Sequence, residues 1–458
     1  MTDNQSARES GARPNVVVFL TDQQRFDSTG AHGNPLGLTP NFDRLAEEGT
    51  FCANSFTPQP VCAPARAALQ TGRHATAAGV HRNELALASD ADTVAKRFAA
   101  AGYDTAYVGK WHLAGTGDEP VPPHLRGGYQ HWLGADVVEF LSDVYDARLY
   151  DSDGVLRQLP GYRADAYVDA AIDYLATPHE RPFFLFVSLI EPHHRNQRDD
   201  YPAPDGYREQ YEGRWTPPDL AALGGVTQQH LAGYWGMVKR VDETFGRLRD
   251  ALHSLGLADD TIVAFTTDHG CHFKTRNDEY KRSAHEASIR IPLAIDGPGF
   301  HGGGRVPGLV SLIDLAPSLL DACGIAVPEG MHGRSVLPHS TDGVADCRRE
   351  VLVQVSESQV ARALRTTRWK YVITAPGADA WNDPGSPVYV ESELYDLESD
   401  PYELENLIGL RSHRQLSDVL GERIRRAMAD AGEGPAQITH ATPRESGQRR
   451  VPDGDAWL

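Results

Sequence analysis

The sequence predicts an α/β fold: a large, mainly parallel sheet sandwiched by helices, followed by a smaller C-terminal α+β domain that carries an antiparallel sheet. Three observations lead to this prediction. The 458 residues exceed what one ordinary core holds, so an appended domain is expected. Continuous apolar runs alternate with helical stretches, which is typical of parallel strands covered on both faces. From about Glu350 shorter apolar segments replace this alternation.

In the first domain the predicted strands alternate with helical stretches. The segment 39–49 shows helix signals at both ends, with a Thr cap, Pro at the first position and a terminating Gly. Buried strands are predicted from apolar runs at 15–20, 104–108, 183–189 and 261–266. Helices are predicted at 39–49, 93–101, 164–175 and 228–255.

The second domain is predicted to be smaller and antiparallel. Its predicted elements are strands at 351–355, 361–364 and 369–373, a turn at 393–401 and a final helix at 413–431. The predicted organisation is therefore a flexible N-terminus (1–13), a catalytic domain (14–348), the smaller domain (349–432) and an irregular tail (433–458).

The net charge of the chain limits the kinds of binding partner that are expected. Asp and Glu number 63 against 44 Lys and Arg, which gives a formal charge of −19. This excess argues against broad binding to nucleic acid or to an anionic membrane. An anionic substrate would therefore need a locally positive pocket.

The sequence also predicts a location. It lacks an apolar run of ~18 residues that could span a membrane. Its start has no apolar segment of the signal-peptide type, and its five cysteines are sparse and odd in number. We therefore expect a cytoplasmic protein without a disulfide framework.

Residues suited to acid–base or metal chemistry follow each of the four predicted strands. In open α/β sheets the ligand site lies beyond the carboxyl ends of the strands. One shared site is therefore predicted from Asp22-Gln23, Lys110-Trp111-His112, Pro192-His193-His194 and Asp268-His269, in strand order.

The segment Cys62-Ala-Pro-Ala-Arg66 predicts an anion site at a helix start. Pro64 favours helix initiation and Gly72 ends the helix. Position 62 would therefore lie among free amide groups that favour an anion, and Arg66, one turn on, can add a fixed charge. Taken alone, a half-buried structural cysteine is the alternative interpretation.

The acids after the first and fourth strands predict a metal site. Hard divalent cations bind several oxygen ligands, which Asp22, Gln23 and Asp268 provide, and His269 adds a nitrogen. A simple loop start is the alternative interpretation of residues 268–270.

The cysteine motif, followed by Leu69-Gln-Thr-Gly-Arg73, resembles the signature of the type I, formylglycine-dependent sulfatase family of the alkaline phosphatase superfamily. Ala65 stands where many members have Ser. The resemblance runs from about residue 15 to 406. It implies that a maturase oxidises Cys62 to formylglycine, that the hydrated aldehyde attacks sulfur, and that the sulfated intermediate then expels sulfate.

The same resemblance assigns a metal to Asp22, Gln23, Asp268 and His269. Many members have Asp and Asn in place of Gln23 and His269. The Gln/His version resembles choline sulfatases and phosphonate monoester hydrolases. This version leaves Ca²⁺ versus Mn²⁺ open and weakens the distinction between a sulfate and a phosphate substrate. Ca²⁺ is the first choice, with Mn²⁺ and Mg²⁺ as alternatives.

The resemblance also assigns catalytic roles. Lys110 and Lys281 would hold sulfate oxygens, His112 would take the proton that lets the diol collapse, and His193 would protonate the leaving alcohol. Candidates for contact with the alcohol part of the substrate are His194, His272, Arg276 and His285, although the stretch 271–277 can equally be a solvated loop.

The predicted function is therefore hydrolysis of a small-molecule or saccharide sulfate ester by a sulfuric ester hydrolase. Its predicted partners are the substrate and a formylglycine-generating maturase, and a homo-oligomer is an open alternative to a monomer. A first rival is a phosphonate or phosphate monoester or diester hydrolase of the same superfamily. A second rival is a non-catalytic protein that binds a sulfated glycan.

Overall fold

The computed structural model describes residues 13–337 and 348–445. The predicted flexible N-terminus up to residue 12, Cys347 and the part of the predicted tail from residue 446 lie outside the described residues. The boundary predicted at 348–349 lies at the edge of the undescribed segment 338–347. No described helix is both long and apolar enough to cross a membrane.

The larger part of the fold is a sheet of ten strands. The strands of this part, including three that form a separate small sheet, are β1 (Asn15–Thr21), β2 (Thr50–Phe51), β3 (Ser55–Phe56), β4 (Asp104–Lys110), β5 (His131–Ala135), β6 (Ala147–Tyr150), β7 (Leu156–Leu159), β8 (Phe183–Ser188), β9 (Thr261–Thr267), β10 (Arg290–Ile291), β11 (Leu293–Asp296), β12 (Gly304–Arg305) and β13 (Val310–Ser311).

The order in the large sheet is β12-β2-β11-β9-β1-β8-β4-β5-β6-β7, and β10-β3-β13 form the small sheet. The five central strands, β9 to β5 in this order, pair in parallel, and antiparallel pairs occur only towards the two edges. The predicted mainly parallel sheet is confirmed.

Helices cover both faces of this sheet. The helices of the described chain are α1 (Pro40–Glu48), α2 (Cys62–Thr71), α3 (Val94–Ala100), α4 (Val138–Leu141), α5 (Arg163–Leu175), α6 (Tyr207–Tyr211), α7 (Pro218–Ala222), α8 (Thr227–Ser254), α9 (Glu286–Ile289), α10 (Leu315–Ala322) and α11 (Arg414–Asp430).

Strand β1 shows why the sheet needs helices on both sides. Val16 and Val18 pack into one core with residues of α2, α3 and α10, whereas Val17 and Phe19 pack into another with residues of α1, α5 and α8. Because successive side chains of a strand point to opposite faces, a strand that is apolar throughout must be buried twice.

The smaller part is a five-stranded sheet with α11 packed against it. Its strands, in spatial order, are β14 (Glu350–Val355), β15 (Ala361–Thr366), β16 (Trp369–Thr374), β17 (Val388–Asp396) and β18 (Gln437–Thr439). All neighbours are antiparallel except β17 and β18, which pair in parallel. The predicted antiparallel α+β appendage is confirmed.

The structure corrects three local predictions. The turn predicted at 393–401 begins inside β17, because Leu394 is buried in the core under α11 and the turn comes only after Asp396. The tail predicted to be irregular contains β18, which adds to an open sheet edge through main-chain pairing. Thr39 precedes α1 as predicted, but its side chain does not cap the helix amides.

Candidate active site

The ends of four neighbouring strands meet at one edge of the large sheet. Asp22 follows β1, Lys110 ends β4, His193 follows β8 after a short turn, and Asp268 follows β9. β4 and β8 approach closely here because Gly109, at φ +111°, has no side chain: a Cβ would lie 1.9 Å from the Ser188 carbonyl oxygen. The structure therefore brings the predicted groups together.

Cys62 lies at the centre of this edge as the first residue of α2, and its side chain is buried. Its Sγ lies 2.9 Å from Lys281 Nζ and 3.4 Å from His269 Nε2. The thiol also contacts Asp22 Oδ1 at 3.7 Å. The dipole of α2 and the ammonium group of Lys281 favour a negative charge at position 62, whereas the carboxylate of Asp22 opposes it.

Arg66 is buried behind the cysteine and holds the carboxylates together. Its guanidinium donates to Asp22 Oδ2 at 2.9 Å and to Asp268 Oδ2 at 3.2 Å. It also donates to the Lys110 carbonyl oxygen and to Ser188 Oγ, at 2.8 and 2.7 Å. The fixed positive charge predicted for Arg66 is therefore present, but these contacts direct the guanidinium group towards the two carboxylates and not into the open cavity.

The predicted metal ligands form a compact buried group. One ligand atom from each of Asp22, Cys62, Asp268 and His269 lies within 4.8 Å of the other three. Burial, and then the charge of Asp22, raises the pKa of Asp268. Two buried carboxylates this close are stabilised by a cation, and carboxylate oxygens with one imidazole suit a divalent ion.

Gln23 provides the observation that tests the fit of a metal. Its Nε2 donates to Tyr201 Oη at 3.2 Å and to Cys271 Sγ at 3.3 Å. Its Oε1 is buried and has no hydrogen-bond partner in the described chain. Its backbone is held at φ +66°, a conformation that costs free energy for a residue other than Gly. An unpartnered buried oxygen, on a residue whose backbone amide donates to Asp268 Oδ1 at 3.2 Å, fits a cation ligand.

Two lysines supply the local positive charge that the acidic chain requires. Lys110 Nζ donates to Asp22 Oδ2 at 2.8 Å and to Glu139 Oε1. Although burial alone would lower it, the carboxylate of Asp22 raises the pKa of Lys110. Burial would likewise raise the pKa of the Cys62 thiol, but the charges of Lys110 and Lys281 lower it well below its usual value.

The two histidines predicted for proton transfer flank position 62. His112 is held at φ +60° and lines the same cavity as Cys62. His193 Nδ1 lies 2.6 Å from the His194 carbonyl oxygen and its Nε2 lies 2.8 Å from Lys281 Nζ. Because a carbonyl oxygen only accepts, Nδ1 carries the ring proton and Nε2 faces the reaction centre.

A cavity of about 530 Å³ opens above this centre. Cys62, His112, His193 and Lys281 line it, and Tyr280, Phe140 and Trp381 add aromatic surface. The side chains of Phe140 and Trp381 are 68% and 37% exposed, unusually high for large apolar groups. No pattern in the sequence indicated Phe140 or Glu139, because both lie in α4, a helix of four residues that is too short to show a periodic pattern.

Of the predicted substrate contacts, only His194 reaches the cavity. Burial lowers its pKa to about 4. Its Nδ1 lies 2.9 Å from Asn196 Oδ1 and its Nε2 3.0 Å from Asp199 Oδ1, so both ring nitrogens already have partners in the protein.

His272, Arg276 and His285 do not line the cavity, and the structure corrects their assignment. Arg276 donates to the main-chain oxygens of Tyr402 and Glu403, which anchors the stretch 271–277 to the smaller domain. His285 is buried beside residues of the same domain, and burial lowers the pKa of His272 to about 3.

Comparison with known proteins agrees with this geometry. The family model described as Sulfatase matches residues 14–325. The chain belongs to the sulfatase family. A second model, N-sulphoglucosamine sulphohydrolase, C-terminal, matches residues 278–430, and the matches as a whole indicate a sulfuric ester hydrolase.

Two curated relatives act on sulfated saccharides, as their names state. The ulvan-active sulfatase of Formosa agariphila is 32% identical over 447 residues, covering 93% of this chain and 83% of the relative. The N-acetylglucosamine-6-O-sulfatase of Bacteroides thetaiotaomicron is 26% identical over 506 residues, covering 91% and 87%.

Two solved structures share the fold. One is a protein in complex with its substrate D-glucosamine-2-N,6-O-disulfate, with a TM-score of 0.75 at 24% identity, covering 92% of this chain and 98% of that one. The other is the phosphonate monoester hydrolase of Agrobacterium radiobacter, with a TM-score of 0.68 at 24% identity, covering 92% and 96%.

Proposed function

We propose that this sulfatase hydrolyses a sulfate ester carried by a saccharide, with Cys62 converted to formylglycine and one divalent cation at Asp22, Gln23, Asp268 and His269. The observation that carries the proposal is the position of Cys62 at the base of the cavity, 2.9 Å from the ammonium group of Lys281. We choose Ca²⁺ first and keep Mn²⁺ and Mg²⁺ as alternatives, because three of the four ligands offer oxygen, which all three ions accept.

The cavity supports a saccharide as the alcohol part of the substrate. A volume of about 530 Å³ lies within the range of sites for small ligands. The exposed rings of Phe140 and Trp381 offer apolar faces of the kind that amphipathic ligands contact. The two curated relatives named above, which act on ulvan and on N-acetylglucosamine-6-O-sulfate, point to the same class of substrate.

In the proposed reaction the protein holds charge and moves protons around position 62. Formylglycine supplies a hydrated aldehyde as the nucleophile, and the cation, when bound, supplies positive charge to the sulfate and the nucleophile. Lys281 donates to a sulfate oxygen. Lys110, held between Asp22 and Glu139, stabilises negative charge at position 62 from behind.

We assign His193 as the acid that protonates the leaving alcohol. Its Nδ1 proton is committed to the His194 carbonyl oxygen, so only Nε2 can exchange a proton with the substrate. Lys281, 2.8 Å from that nitrogen, marks where the sulfate would lie. His112 lines the cavity together with Cys62 and is assigned as the base that acts on the nucleophile.

A substrate panel tests the proposed class. Protein coexpressed with the maturase and loaded with Ca²⁺ or Mn²⁺ is assayed on saccharide sulfates, an aryl sulfate, an aryl phosphonate and a phosphodiester. We expect the highest kcat/KM on a saccharide sulfate. Faster turnover of the phosphonate or the diester would favour the rival hydrolase, and no turnover by converted protein would favour the binding protein.

A His193→Ala variant tests the assigned acid. Loss of general acid catalysis costs about 10²–10⁴-fold in rate when the leaving group needs a proton. We expect that loss on a saccharide sulfate and a much smaller one on 4-nitrophenyl sulfate, whose leaving group is a weak base. Equal losses on both substrates would contradict the assignment. His131→Ala, at an exposed position, serves as the control.

A further inference from the structure

We propose a second metal site in the wall of the cavity, formed by His194, Asp199 and His230 and suited to a transition-metal ion such as Zn²⁺. One ligand atom from each of the three residues lies within 4.8 Å of the others. The site does not depend on the proposed substrate, and its ligands are separate from the residues around Cys62.

The distances fit a tetrahedral ion. His194 Nε2 lies 3.0 Å from Asp199 Oδ1, and His230 Nε2 lies 3.8 Å from the same oxygen. Two ligand atoms at the usual ~2.0–2.1 Å from tetrahedral Zn²⁺ are separated by about 3.3 Å. The two observed separations bracket that value, so small side-chain rotations are enough to bind an ion.

His230 provides independent evidence for a missing ligand. It is 0% exposed, and neither of its ring nitrogens has a hydrogen-bond partner in the described chain. A buried polar group without a partner costs free energy, and such groups are rare in folded proteins. Its Nε2 faces the Asp199 carboxylate, which is where a bound cation would satisfy both groups.

The hydrogen bonds of His194 point to a cation in the same place. Nδ1 faces Asn196 Oδ1, an acceptor, so Nδ1 carries the ring proton. Nε2, at 3.0 Å from Asp199 Oδ1, is then the nitrogen that an ion held by this carboxylate would bind. Asn196 fixes the tautomer of the ligand, as second partners of metal-bound histidines do.

The donor set selects a different metal from the one expected beside Cys62. Two imidazoles and one carboxylate favour Zn²⁺ and related ions, whereas Ca²⁺ and Mg²⁺ prefer oxygen. Asp199 is 55% exposed, so an ion can enter from solvent. His194 also accepts the Nδ1 proton of His193 on its carbonyl oxygen, which connects the second site to the assigned acid.

The test is titration of Co²⁺, a spectroscopic substitute for Zn²⁺, into tag-free Cys62→Ala protein in excess Ca²⁺. The Cys62→Ala background removes the competing thiol. The variants His230→Leu and Asp199→Asn are compared with His253→Ala, which changes an exposed histidine of the same helix. Equal far-UV circular dichroism establishes that the proteins are folded.

We expect one equivalent of Co²⁺ with the visible absorption of a tetrahedral complex in the parent and in His253→Ala. Replacement of a residue that only hydrogen-bonds to a metal ligand weakens metal binding by ~10–100-fold, and loss of a ligand itself should weaken it more. The bound equivalent of Co²⁺ should therefore disappear in His230→Leu and in Asp199→Asn. Unchanged stoichiometry and spectrum in these two variants would overturn the proposal, as would equal loss in His253→Ala. Because no substrate is used, failure here leaves the proposed hydrolysis standing.

Discussion

Replacement of Lys281 by Met removes the ammonium group closest to position 62 while keeping a side chain of similar length. Nζ lies 2.9 Å from Cys62 Sγ and 2.8 Å from His193 Nε2, and the side chain is buried. Because Met fills the same space, we expect folding and metal binding to change little. The expected loss is therefore in transition-state stabilisation.

The size of the loss follows from the two contacts. Removal of one donor aimed at developing negative charge costs about 10²–10³-fold in kcat, or roughly 2.7–4 kcal/mol. Lys281 also orients His193, so we expect kcat/KM to fall towards the upper part of that range. The assay is the initial rate on 4-nitrophenyl sulfate and on a saccharide sulfate, divided by the fraction of Cys62 converted in each preparation.

Lys274→Met is the matched control, since this lysine lies on the same loop with its Nζ 4.8 Å from the centre of the Tyr280 ring. We expect its kcat/KM to equal that of the wild type. A Lys281→Met variant that stays within about tenfold of the wild type at equal conversion would show that Lys281 does not hold the sulfate, because a donor in contact with it cannot be worth so little.

Three further predictions concern stability. Burial, followed by the charge of Glu403, raises the pKa of Glu393 from 4.5 to about 7, so the folded protein favours the neutral carboxyl group. The free energy of unfolding therefore decreases as the pH rises from about 4.5 through 7. Glu393→Gln should therefore raise the unfolding free energy at pH 8 by about 2–3 kcal/mol and leave it unchanged at pH 4, measured by urea denaturation. In the wild type, Ca²⁺ at 100 times its Kd should stabilise the folded protein by about 2.7 kcal/mol and so raise its Tm. Asp268→Asn should abolish this rise, measured by differential scanning calorimetry. A rise that persists in the variant would contradict the role of Asp268 as a metal ligand. Gly109→Ala should lower the urea midpoint strongly, because its Cβ would meet the Ser188 carbonyl oxygen, and a wild-type midpoint would contradict the expected clash.

The placement of the site was predictable because it follows from chain topology. Parallel strands that succeed one another through helices all end at the same edge, so the residues that follow them must meet. Asp22, Lys110, His193 and Asp268 needed only correct strand assignments, and the apolar runs supplied these.

The direction of individual side chains was not predictable in the same way. Arg66 could serve a substrate or the protein, and its contacts with Asp22 and Asp268 depend on packing between α2 and two distant strands. The position of Glu139 was equally unpredictable, because it reaches Lys110 from α4, a helix of four residues that is too short to show a periodic pattern.

The wrongly predicted segments of the smaller domain have a common physical cause. β17 has charged residues that form ion pairs, Glu391 with Arg414 of α11 and Asp396 with Arg368 in the turn between β15 and β16, so it lacks the apolar alternation of an ordinary strand. β18 is a three-residue edge strand held by main-chain pairing, which leaves little trace in its side chains. In both, tertiary contacts override local preference.

Sulfate release, measured against the chemical state of position 62, tests the proposed nucleophile itself. Preparations made with graded amounts of the maturase are analysed by mass spectrometry of the peptide from Gln59 to Arg66, and each is assayed with Ca²⁺ present. We predict activity proportional to the converted fraction, with a line through the origin. Full activity in protein that retains the Cys62 thiol would contradict the proposed chemistry.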